Sequence, residues 1–201
     1  IAPFKRSGDR IDYLFPGLLV DRWWNTHTPL YRRSVCEQIG SWPDMRMGED
    51  WLYDARVGAL GTKLVFCDEY VSEHRQHSQE RLTGGDIGHN ALQDFGRLIP
   101  ELFECARRAD VEIGCVEMQH FSRWAFSLAR QLGRIGDSPA ARKCFEIARQ
   151  ADRNGGKDAQ YRAYEILATV ACWRFVGIMS YLVDALLRRK PGTDTRMQSW
   201  M

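Results

Sequence analysis

The sequence predicts a small α/β unit over residues 1–84, an all-helical bundle over residues 85–190 and a disordered tail over residues 191–201, so the protein is helix-dominated overall. Two observations carry this reading. Lys63–Cys67 and Tyr70–Glu73 are short β-prone runs, expected as strands. After Gly84-Gly85 the composition shifts, and from Ile87 to Lys190 apolar residues recur at helical spacing almost without interruption. At 201 residues the chain is long enough to bury a real core. With 27% charged and 44% hydrophobic residues it reads as soluble and globular rather than disordered. A net charge of +2 gives no electrostatic case for nucleic acid or membrane binding.

The elements follow in order. Pro16-Gly17 is a turn signal, and Leu18–Trp24 is an apolar run interrupted by Asp21-Arg22. Thr26–Arg32 is expected to be extended, because Pro29 disfavours helix in its predecessor. Ser34-Val35-Cys36-Glu37 has the spacing of a capping box, and Gly40 closes the short helix after it. A helix is expected over Glu49–Ala59, with Leu52, Ala55, Arg56 and Ala59 inward and Gly61 ending it. Five helices are expected beyond, at about Ile87–Asp110, Ile113–Leu132, Pro139–Asp152, Ala159–Ala171 and Trp173–Arg189. Ser138-Pro139 suits a helix start, since proline in the first turn misses no intrahelical N–H. The stretch Ala171–Leu187 contains Arg174 and Asp184; it is too short and interrupted for a membrane span and is expected as a buried helix. The cysteines at 36, 67, 105, 115, 144 and 172 have no C-x-x-C spacing, which disfavours a zinc ribbon and suggests a reducing compartment.

Chemistry concentrates at Gly48-Glu49-Asp50-Trp51. A carboxylate at a helix start is held by backbone N–H groups and the helix dipole, and stays ionised near neutral pH. That suits a proton acceptor, although a Glu-Asp pair opening a helix is also an ordinary capping arrangement. Paired tryptophans such as Trp23-Trp24 more often belong to a core than to a ligand platform. His74 and His77 alone are too few for a metal site, which disfavours a histidine-based metallohydrolase.

Taken together, Leu30-Tyr31-Arg32-Arg33, Ile39-Gly40-Ser41-Trp42, Gly48-Glu49-Asp50-Trp51, Arg56-x-Gly58-x-x-Gly61 and Arg75-x-His77 resemble, in order and spacing, the acceptor half of family-2 inverting glycosyltransferases. The resemblance covers residues 18–82, with Ser41-Trp42 in place of the commoner Gly-Phe. It implies that residues 1–84 form the acceptor half of a GT-A α/β fold. It also implies Asp50 as general base, Glu49 orienting it or touching the acceptor, and Trp51, Trp24 and His27 as acceptor contacts. Arg75 and His77 would lie at the donor diphosphate, with His77 near its metal. The complete enzyme would use a nucleotide sugar, a divalent metal (Mg or Mn) and a glycan or lipid-linked acceptor of the cell envelope. It would be cytoplasmic, at the inner face of the membrane or free of it, with at most peripheral membrane contact.

The chain begins at Ile1, carries no Asp-x-Asp motif, and is expected to be a piece that does not turn over donor alone. In the enzyme the bundle would serve docking, oligomer formation or membrane-proximal placement. The competing reading is a helical, repeat-like interaction module with a small α/β cap and no chemistry. Leu128, Leu132, Gly136, Ala141, Phe145 and Ala148 fit it, being close to the spacing of one tetratricopeptide repeat.

Overall fold

The computed structural model describes residues 11–67, 69, 88–152 and 158–186. They form a 3-10 turn, Gly17–Leu19, and six helices: α1 (Arg33–Ile39), α2 (Glu49–Gly58), α3 (His89–Arg108), α4 (Val116–Ile135), α5 (Ser138–Ala151) and α6 (Asp158–Leu186). There is no strand among the described residues, which corrects the expected α/β half. Lys63–Cys67 has β-prone residues but no strand beside it among the described residues. Val65 and Phe66 are 87% and 61% exposed, and Leu64 N–H makes a lone bond to the Asp12 carbonyl at 2.8 Å. The 26–32 segment is likewise irregular, with a turn closed by Thr28 N–H on the Asn25 carbonyl. The other expected strand, Tyr70–Glu73, lies outside the described residues.

Helix ends are set locally, and not always by the expected residues. The capping box at Ser34 does not form: α1 starts at Arg33, and its N-cap Arg32 makes no side-chain cap. α2 starts after Gly48, whose φ of +80° favours glycine. A Cβ there would also meet Leu98 Cδ2 at 3.0 Å. α4 starts three residues later than the apolar pattern suggests, with the Cys115 thiol accepting from Met118 N–H at 3.4 Å. The N-cap of α5 is Asp137, whose carboxylate accepts from Ala140 N–H at 3.1 Å, with Pro139 in the first turn as expected.

α3 continues through Pro100, which has no N–H to offer the Gly96 carbonyl. The buried Cys144 thiol of α5 faces that carbonyl at 3.9 Å. Burial pushes the thiol up to about 12, so it is a packing group.

The core is continuous. Leu14, Leu18 and Leu19 join Leu52 and Ala55 of α2, Leu98, Ile99 and Leu102 of α3, Phe121 and Leu132 of α4, and Cys144 of α5. Trp51 lies at the junction, stacked on Trp124 of α4 with ring centroids 5.1 Å apart, its indole N–H on the Leu18 carbonyl at 2.9 Å. Phe95 and Phe121 meet Trp124 edge-on.

α6 is two arms. At Cys172 (φ 66°, ψ 158°) the backbone leaves helical geometry, where the sequence divides the expected helices 159–171 and 173–189. The Tyr164 and Ser180 hydroxyls are 3.1 Å apart. Sixteen residues of straight helix would separate them by about 24 Å, so the second arm doubles back on the first. It packs on α4 through Gly133 and Gly177, where a Cβ on Gly177 would lie 2.2 Å from the Arg134 nitrogen. Arg130–Asp184, at 3.0 Å, closes the same interface. The outer side of this arm is exposed, so it is not the fully buried helix expected.

Candidate functional site

Asp50 and Asp54 lie one turn apart on α2 and so share a face. Arg22, itself buried, reaches both: Nη1 donates to Asp50 Oδ2 and Nε to Asp54 Oδ2, each at 2.6 Å. The rest of Asp54, fully buried, is saturated by side chains: the Trp24 indole N–H donates at 3.0 Å and the Tyr31 hydroxyl donates to the other oxygen. Burial raises the Asp54 carboxyl, while Arg22 and the Tyr31, Arg22 and Trp24 hydrogen bonds pull it back. The Tyr31 phenol is raised in turn, by burial first and then by the Asp54 charge.

Asp50 is different. Its side chain is 22% exposed. Oδ2 accepts from Arg22 and from the Thr26 hydroxyl, and Oδ1 accepts from Trp51 N–H at 2.7 Å. One cation thus serves two carboxylates, one sealed in the core and one open to solvent.

Glu49 is half-buried, and its carboxyl is raised by desolvation first, with the Asp50 charge adding to the rise. A carboxyl whose folded pKa is raised binds its proton more tightly in the folded state. Its contribution is therefore largest below the ordinary value of 4.5 and is lost as pH rises through the raised folded value. Glu49→Gln is expected to remove that slope. Its melting temperature should gain on the wild type between pH 4.5 and 7, as measured by thermal melts of both proteins across that range.

The expected acceptor contacts separate. Trp24 is half-buried and bound to Asp54, and His27 is exposed on the turn beside Thr26. Trp51 is corrected: its ring is 7% exposed and enclosed by the core, so it offers no face to a sugar. Trp42, by contrast, is 42% exposed and stacks on Tyr53 with centroids 4.2 Å apart, and Tyr53 meets Tyr31 edge-on. Arg75 and His77, expected at the diphosphate and its metal, lie outside the described residues. Among the described residues no three His, Cys, Asp or Glu side chains come together as a metal site. The described residues therefore do not fit the divalent metal, and no step is assigned to it.

Sequence reasoning misses Arg22, Thr26 and Asp54. Arg22 reads as an interruption in an apolar run, and its partners lie 28 and 32 residues away. Asp54 carries one signal, its i,i+4 spacing from Asp50 on a helix otherwise buried almost all round.

Comparison with protein-family models, curated proteins and solved structures finds no match to this chain.

Proposed function

We propose that the chain carries the acceptor-side carboxylate of an inverting sugar-transfer enzyme, with Asp50 as the proton acceptor. The observation that supports it is the contrast between the two carboxylates on α2: Asp54 is fully buried and fixes Arg22, Trp24 and Tyr31, whereas Asp50 stands at the helix start, oriented by Arg22 and Thr26 and open to solvent. A group that must meet an incoming hydroxyl needs such fixed orientation and access. In the reaction, the acceptor O–H gives its proton to Asp50 as its oxygen bonds to the anomeric carbon, and the nucleoside diphosphate leaves with the electrons of the bond it breaks. Trp42, rather than Trp51, is the exposed tryptophan, stacked on Tyr53 of the same helix as Asp50. With no Asp-x-Asp motif in the sequence, the 201-residue chain alone is expected not to turn over a donor.

The test is nucleoside diphosphate release by the complete enzyme from UDP-, GDP- or dTDP-sugars in the presence of glycan acceptors. Asp50→Asn is expected to lower kcat by about 10²–10⁴, the usual contribution of a general base. Its stability should change by no more than about 1 kcal/mol, because Asp50 is partly hydrated. Wild-type turnover by the variant would remove Asp50 from the reaction. A loss confined to stability would favour the interaction module.

A further inference from the structure

The second arm of α6 carries an apolar stripe that no part of the described chain covers. Phe175, Ile178, Met179, Leu182 and Leu186 follow the i, i+3, i+4, i+7, i+11 spacing of one helix face, and are between 39% and 82% exposed. The opposite face is committed to α4 through Gly177, Arg130–Asp184 and the Arg134 guanidinium 4.6 Å above the Tyr181 ring. By length and composition the whole helix is apolar enough to cross a membrane. Its reversal at Cys172 changes what that means. Each arm is about 21 Å long at 1.5 Å per residue, short of the roughly 30 Å hydrocarbon core. A helix of this length with one face fixed to a protein body can lie on a bilayer but does not span it.

The charges select the occupant. Arg174 adjoins the start of the stripe, and the sequence after α6 reads Arg188-Arg189-Lys190. The one carboxylate of the arm, Asp184, is turned inward to Arg130. Two copies of this face packed in parallel would bring their Arg174 guanidiniums together at the start of the stripe. Anionic lipid headgroups would neutralise those charges while acyl chains cover the stripe.

We propose that this face binds the surface of an anionic membrane, with the stripe at the headgroup–acyl boundary. The proposal is independent of the chemistry assigned to Asp50. It is tested by flotation of the full chain with phosphatidylcholine vesicles containing about one third phosphatidylglycerol, a typical anionic surface. The wild type is expected to float with these vesicles. Binding should fall at about 0.5 M salt, where charge attraction is screened, and on pure phosphatidylcholine. Ile178→Ser, Leu182→Ser and Leu186→Ser combined should weaken partitioning at least about tenfold. All three side chains are exposed, and unchanged circular dichroism and melting temperature would show that the fold is retained. Arg174→Glu should weaken binding to the anionic vesicles alone. Failure of the wild type to float overturns the proposal, as does equal flotation of the triple variant. So does a wild-type dimer, detected by light scattering, that the triple variant dissolves without any vesicle binding: the occupant would then be a second copy.

Discussion

Replacing Arg22 with Ala is expected to lower stability by about 3–5 kcal/mol, because it leaves a buried carboxylate without its cation. Asp50 would rehydrate at its open edge. Asp54 could not: its side chain is fully buried, and only the Trp24 and Tyr31 donors would remain. The loss should therefore shrink as pH falls. Burial already raises the Asp54 carboxyl, and without Arg22 the rise is larger, so the folded variant takes up a proton that the unfolded chain releases at the same pH. Urea unfolding at pH 7 and pH 5 checks both statements. Arg22→Met with Asp54→Asn removes both charges while the amide oxygen still accepts a hydrogen bond, and should recover part of the loss, with a coupling between the two sites well above the ~0.5 kcal/mol scatter of independent positions. If Arg22→Ala costs under about 1 kcal/mol, a typical exposed pair, the network does not hold the candidate site.

Gly177→Leu should produce the second large effect. The Cβ at this position would lie 2.2 Å from the Arg134 nitrogen and 2.7 Å from the Arg130 carbonyl oxygen, both backbone atoms that cannot rotate away. The second arm of α6 must lift off α4, separating Arg130 from Asp184 and Trp173 from Phe145 of α5. Overpacking of a well-filled contact costs about 1–3 kcal/mol, and more where backbone must move. The expected readout is a lower melting temperature with most helical circular dichroism kept, since α3, α4 and α5 retain their mutual packing. A wild-type melting curve would show that the arms are not seated through Gly177.

Much of the helical part was legible from periodicity. Phe121, Trp124, Ala125, Leu128, Ala129 and Leu132 keep the spacing of one face and are buried, and the break at Cys172 lies where the pattern separates two helices. The expected strands show where such reading stops. A β-prone run specifies a strand only if another segment offers it hydrogen bonds, and Val65 and Phe66 have none beside them among the described residues. The same limit governs the site. Glu49 and Asp50 are visible as a pair at a helix start, but the cation that orients Asp50 comes from a distant loop. Its role depends on tertiary placement, not on any local pattern. Trp51 misleads for a related reason: adjacency to a chemically suggestive carboxylate says nothing about which way a neighbouring side chain turns, and successive helical residues point about 100° apart.

The stacking of Trp51 on Trp124 has a practical consequence. Two indoles at 5.1 Å, inclined by 27°, are close enough for their electronic transitions to couple. One belongs to the helix that bears Glu49 and Asp50, the other to the helical body. Their combined near-ultraviolet signal is thus an intrinsic optical gauge of whether the carboxylate helix is seated, readable without labels and separately from the far-ultraviolet bands of the bundle. Anyone excising the first ninety or so residues to study them alone would lose that gauge together with the surface on which the helix rests.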